Sequence, residues 1–212
     1  MIIFNKVSKA NIENLSFYIN SGEMVCINDN NTDNIKTLFD LFQGAKKVDQ
    51  GVIRYLKNGS YYNEPDKNLM GYVFKDNILL PDRTVDENMQ FIMRIKDINM
   101  SSCENRIKRI MDIVDLKFYM NKRPGQLLSH QIVRANIAQA ILSYPPVLIL
   151  EDPFLALDEV NRMGIIRLLK RLNEFSMTVV ILSSQNNLIF NQEIRIIKLS
   201  DTYIEKKKGY YA

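Results

Sequence analysis

Residues Val147 to Asp158, VLILEDPFLALD, constrain this chain more than any other stretch. Four consecutive apolar residues without alternation describe a strand buried on both faces, as in the middle of a parallel sheet. That places the chain in the α/β class. Glu151 and Asp152 follow at the carboxyl end of the strand, on the lip of the sheet where open α/β folds place their ligands. Leu157-Asp158 closes a second turn. A buried strand followed by an acidic turn would satisfy the same pattern, so the rest of the chain has to decide.

At 212 residues the chain fits one domain with room for an inserted subdomain, and 46% hydrophobic against 25% charged residues is enough to bury a core. No apolar run approaches the roughly 20 residues that cross a bilayer, and the opening MIIFNKVSKAN lacks a secretory pattern, so a cytoplasmic protein is expected. Cys26 and Cys103 stand alone without metal-ligand spacing, which predicts reduced thiols and no metal site. The net charge of +4 is mild and gives no reason to expect a nucleic-acid partner. Part of it is the run Lys206-Lys207-Lys208, which reads as a solvated end.

Taken in order, Ile2–Val7 and Leu15–Ile19 read as two short strands, and Ser21-Gly22-Glu23 as a turn into the strand Met24–Ile27. Gly51–Leu56 and Met70–Phe74 are further strands. From about 86 to 135 the periodicity turns helical, with Ile107, Ile110, Met111 and Val114 at i, i+3, i+4 and i+7. Residues 130–143 form a helix leading to the central strand, and Ile165, Leu168, Leu169 and Leu172 mark a second amphipathic one. Thr178–Leu182 is a buried strand, and Ile194–Leu199 with Tyr203-Ile204 read as edge strands.

Residues 26–44, CINDNNTDNIKTLFDLFQG, pass from strand through a polar loop into a helix, the order of a phosphate-binding loop. Such a loop needs glycines so that backbone N–H groups can wrap the anion, a Lys for the phosphates and a hydroxyl for Mg²⁺. Here Asp29, Thr32 and Asn34 hold the glycine positions, Ile35 the Lys position and Lys36 the hydroxyl position; only Thr37 matches. Asp29 and Asp33 add negative charge where a polyphosphate would sit. Because Asn and Asp tolerate left-handed backbone, the loop is expected to keep a similar path without its purpose.

With these segments in place, the chain resembles the ATP-binding cassette (ABC) ATPases from end to end. The resemblance rests on SGEMVCI, MGYVFKDNILLPDRTVDEN at the Q-loop, PGQLLSHQIVRANIAQAIL at the signature, PPVLILEDPFLALD at Walker B and the D-loop, and TVVILSSQNNLI at the switch strand. VSKAN, DRTVDEN and KLSD are similar to the FtsE cell-division branch in particular. The resemblance implies an ABC-type P-loop NTPase fold: a RecA-like core sheet, an antiparallel β subdomain and an inserted helical subdomain. It implies one domain over 1–212, with the core at about 1–85 and 136–212 and the helical subdomain at about 86–135.

Set against the family's motifs, the ligand residues are replaced one after another. The adenine-stacking aromatic falls at or near Asn11, and the Q-loop Gln is Lys75. The signature Leu-Ser-Gly-Gly reads Leu127-Leu128-Ser129-His130, so its contacts to a partner subunit's γ-phosphate are impaired. Walker B's Asp-Glu is inverted as Glu151-Asp152, and Ser184 stands at the switch His. Asp152 is one methylene short of a general base there, and a displacement of about 1 Å can cost roughly a hundredfold in rate. These losses fall on every electrostatic component of phosphoryl transfer.

The frame is nevertheless kept. Pro153, Leu157 and Asp158 preserve the D-loop, Arg134, Ile137, Ala138 and Ala140 the signature helix, and the buried strands carry no polar intrusion. In this family the surface beside the Q-loop receives the coupling helix of a membrane partner. Ile78, Leu79, Leu80, Pro81 and Val85 are apolar residues suited to it, with about half of them expected to be ordinary core. The resemblance therefore implies a catalytically inactive, FtsE-like subunit without a nucleotide cofactor, docked on an FtsX-like permease at the inner face of the membrane in cell division or cell-wall remodelling. A homodimer, or a heterodimer with another ABC ATPase, is a further expectation. The alternative is a genuine ABC ATPase using MgATP, alone or in a heterodimer. Lys36 or Lys75 is expected to swing into the place of the missing Lys; Lys75 is the stronger candidate, and it could equally pair with Asp29, Asp33, Glu151 or Asp152.

Overall fold

The computed structural model describes residues 1–57, 59–66, 68–98, 103–185 and 194–200. In chain order the elements are β1 (Ile2–Lys9), β2 (Ile12–Ile19), β3 (Met24–Asn28), α1 (Thr32–Phe42), β4 (Gln50–Lys57), β5 (Ser60–Tyr62) and β6 (Met70–Val73). There follow α2 (Val85–Ile95), α3 (Cys103–Ile113), α4 (Ser129–Ile141), β7 (Val147–Glu151), α5 (Glu159–Glu174), β8 (Thr178–Ser183) and β9 (Arg195–Lys198). Two 3-10 turns, Lys117–Tyr119 and Pro124–Gln126, link α3 to α4.

The unalternated apolar runs become an all-parallel sheet in the order β6-β7-β8-β3-β9. The period of two then divides each strand between two cores. Met24, Cys26, Leu148, Leu150, Val179 and Ile181 face the layer made by α2 to α5. Val25, Ile27, Ile149, Val180 and Leu182 face α1 and the second sheet, an antiparallel one in the order β2-β1-β4-β5. Burying each such side chain contributes about 1.5–3 kcal/mol, so no strand of the sheet can shift by one residue without exchanging the two cores.

Helix starts follow capping chemistry. Thr84 caps α2 by accepting the Glu87 N–H at 3.2 Å while the Glu87 carboxylate accepts the Thr84 N–H at 2.7 Å. Gly71 sets how closely β6 meets α4, since a Cβ there would fall 2.6 Å from the Ala140 carbonyl oxygen. α4 runs unbroken through 135–136, where the sequence suggests that insertion gives way to core. The suggested strand at Tyr203-Ile204 and the Lys206–Lys208 run lie outside the described residues.

Candidate functional site

The carboxyl ends of β3, β6, β7 and β8 form one lip. Three residues, Asp29, Asn30 and Asn31, join β3 to α1, and the helix is already under way at Thr32. Its start is set by local side chains. Asn31 Oδ1 accepts the Asp33 N–H at 2.8 Å, while Asp29 accepts the Asn31 N–H at 3.0 Å and Asn34 Nδ2 at 2.7 Å. The Ile35 N–H then bonds the Asn31 carbonyl at 3.2 Å.

This connection carries no glycine; the chain caps itself and is helical from Thr32, with Thr32 and Asn34 inside the first turn. Ile35, which the resemblance sets in place of the phosphate-binding Lys, is wholly buried, and Asn34 and Thr37 are buried with it. Thr32 and Lys36 stay on the open face.

A cavity of about 420 Å³ opens beside this helix start, lined by Thr32, Asp33, Lys36, Phe74, Lys75, Asp76, Ile78, Glu151 and Asp152. The lining brings four carboxylates against two ammonium groups. Lys36 Nζ pairs with Asp40 at 3.0 Å and lies 3.9 Å from Glu151. Burial pulls the Asp40 carboxyl up, but hydrogen bonds from Lys46 and Lys36 outweigh this and hold it below its ordinary value. Lys75 meets Glu151 through its main-chain N–H, at 3.5 Å, and its exposed side chain pairs with none of the four expected carboxylates among the described residues. The cation beside Glu151 is thus Lys36, on the first turns of α1.

Glu151 is 5% exposed. Burial raises its carboxyl pKa, with Lys36 and the Lys75 N–H opposing the shift in part. Asp152 follows in left-handed backbone, φ 43°. Its carboxylate accepts the Ser184 N–H at 2.6 Å and the Ser184 hydroxyl at 2.9 and 3.0 Å, while its own N–H bonds the Leu182 carbonyl at 2.8 Å. Asn28 Nδ2 adds bonds to the Ser183 and Gln185 carbonyls, at 2.9 and 2.8 Å, so the strand ends are laced to one another. Behind them burial, reinforced by the charge of Asp152, pushes the Cys26 thiol up to about 12 and keeps it protonated.

The signature and D-loop residues do not line this cavity. Leu127 is core, Leu128 is 63% exposed, Ser129 opens α4, and His130 is half-buried. Leu128 has no side-chain oxygen with which to cap α4; its N–H is taken by Gln131 Oε1 at 2.9 Å. Asp158 caps α5 by accepting the Asn161 N–H at 2.8 Å and Asn161 Nδ2 at 2.8 Å. These Asn161 bonds, with a smaller contribution from His130, hold its pKa low.

Among the candidate docking residues, Leu79 and Val85 pack into the core and are unavailable to a partner. Ile78 and Pro81 are exposed and Leu80 is half-buried. Asn88, which the sequence pattern did not single out, fixes this turn: its Oδ1 accepts the Leu80 N–H at 2.7 Å, and its Nδ2 donates to the carbonyls of Leu80, Arg83 and Thr84. Phe74 and Asp76 were likewise not singled out as cavity walls, although each is a neighbour of Lys75, which was.

The chain matches the ABC transporter family over residues 12–155. It is 28% identical over 223 residues to the Cell division ATP-binding protein FtsE of Escherichia coli K12, covering 99% of this chain and 100% of that protein. The Streptococcus pneumoniae protein of the same name is 31% identical over 144 residues, which is 67% of this chain and 63% of that one. Among solved structures, MJ0796, described as a dimeric bacterial ABC transporter cassette, superposes with a TM-score of 0.76 at 26% identity over 94% of this chain and 95% of that one. No helix among the described residues is long and apolar enough to cross a membrane.

Proposed function

Since this chain belongs to the ABC transporter family of ATP-binding cassettes, we propose that it is a subunit that has given up the ATP cycle and kept the docking role. It acts in the cytoplasm, at the inner face of the membrane, on an FtsX-like permease in cell division or cell-wall remodelling. The observation that carries this reading is the start of α1: Asn31 and Asp29 cap the helix from within, and Ile35 is buried where a cation should meet phosphate. MgATP does not fit these residues. A polyphosphate would enter a cavity walled by Asp33, Asp76, Glu151 and Asp152, and no nucleotide cofactor is assigned. The FtsE proteins named above supply the cell-division setting.

One observation favours the other reading, a working ATPase subunit in a dimer: Glu151 and Asp152 still stand together at the end of β7, in the same cavity as Lys36. The two readings separate in a paired experiment. The purified chain is assayed for ATP hydrolysis beside its Asp152→Asn variant, and the tagged chain is recovered from detergent-solubilised membranes. Equal, background-level hydrolysis together with recovery of one polytopic membrane protein supports the docking reading. Hydrolysis that depends on Asp152, or no membrane partner, counts against it.

A further inference from the structure

Lys96 follows α2 and reaches across to the turn after α4, where its ammonium donates to Ser143 Oγ at 3.2 Å. It stands on the lining of a cavity of about 430 Å³ whose walls include Tyr72, Phe74 and Ile92. The residue is exposed, so a solute can reach it. No carboxylate among the described residues pairs with it. Lys9, Lys36, Lys46, Lys57, Lys108 and Lys117 differ, since each ammonium stands within 3.3 Å of a carboxylate oxygen. Hydrogen bonds to Asp66 and Glu104 raise the pKa of Lys57 and Lys108, whereas lost hydration lowers that of Lys96. A desolvated lysine without an opposing anion favours the uncharged amine, which is the nucleophilic form.

A second cation meets the same turn. Arg106 of α3 donates to the Leu142 carbonyl at 3.1 Å and lies over the Tyr144 ring, 4.8 Å from its centroid, so it brackets Ser143. Its guanidinium also pairs with no carboxylate among the described residues. The planar fork of such a group suits phosphoryl oxygens. Residues 142–144 thus gather a nucleophile from the end of α2 and an anion-binding group from α3.

We propose that Lys96 is a site of N-acylation by small acyl phosphates, with Arg106 holding the phosphoryl group of the donor. The uncharged amine attacks the acyl carbon, and the new C–N bond replaces the C–O bond to phosphate. Phosphate leaves with that electron pair and takes up the surplus proton of the amine. The product is a neutral amide, so the cavity lining loses a positive charge. The step uses neither Glu151 nor Asp152 and stands independently of the docking reading.

The test incubates the full chain with acetyl phosphate at neutral pH and follows the occupancy of each lysine by peptide mass spectrometry. Lys96 is expected to react at least about tenfold faster than Lys57 and Lys108, and the three rates are expected to converge in urea, where the turn is lost. Arg106→Gln should slow the reaction of Lys96 with acetyl phosphate at least about threefold. It should leave unchanged the reaction of Lys96 with a neutral donor, the N-hydroxysuccinimide ester of acetic acid, which reports that the turn is intact. Arg106→Lys should keep the acetyl phosphate rate within about twofold. Equal rates at Lys96, Lys57 and Lys108 in the folded chain, or a preference for Lys96 that persists in urea, overturn the proposal. An effect of Arg106→Gln on both donors alike, or on neither, overturns the role given to Arg106.

Discussion

Ser184 holds Asp152 with both its main-chain N–H, at 2.6 Å, and its hydroxyl, at 2.9 and 3.0 Å to the two carboxylate oxygens. Ser184, which the resemblance sets at the switch His position, thus occupies Asp152, which it sets at the place of the general base. Both carboxylate oxygens are engaged inside the chain, and the left-handed backbone at Asp152 is held by its own N–H bond to Leu182.

From this follows a stability effect at a position that catalysis would mark as functional. Ser184→Ala removes the hydroxyl and leaves the main-chain N–H, so a buried carboxylate loses one of its donors. The expected loss is about 1.5 kcal/mol at pH 7, read as a lower urea midpoint with unchanged slope.

Glu151 should show its burial as a pH dependence. Its carboxyl pKa is raised in the folded state, so the folded chain binds the proton more tightly than the unfolded one. The stability this confers is present in full below the unfolded pKa of about 4.3 and is lost as pH rises through the folded value. Glu151→Gln removes the charge that burial penalises. The variant should be more stable than the parent at pH 7, with the difference shrinking as pH falls from the raised folded value to the unfolded one; equal melting temperatures at pH 7 would contradict this.

Restoring the family's cation is predicted to break the fold, not to repair the site. Ile35 is fully buried on the core side of α1, so Ile35→Lys must bury an ammonium, or distort the helix start, at a cost of about 4 kcal/mol or more. Lys36→Ser, on the half-exposed face, should cost under about 1 kcal/mol, because its ion pair with Asp40 is partly solvated. Denaturant titration of the two variants checks the contrast.

How much of this was legible in the sequence depended on distance along the chain. The parallel strands could be read from Val147–Leu150 and Thr178–Leu182 because burial on both faces leaves no alternation to misread. The path of the loop could not: aligning it with a family motif fixes positions, but Asn31 and Asp29 capping the next turn decides where the helix begins. Ile78 and Leu79 are neighbouring aliphatic residues, yet one is exposed and the other lies in the core, in a turn held by the Asn88 bonds to Leu80.

The account's central claim is that the early start of α1 leaves no seat for a nucleotide. A thermal unfolding series on the purified chain across millimolar MgATP, beside a competent ABC ATPase, tests it most directly, because a ligand that binds only the folded state must raise its stability once its concentration exceeds Kd. The prediction is an unchanged melting temperature for this chain while the control rises. A Mg²⁺-dependent rise that grows with ATP concentration would contradict the account and return Glu151, Asp152 and Lys36 to the role of ligands.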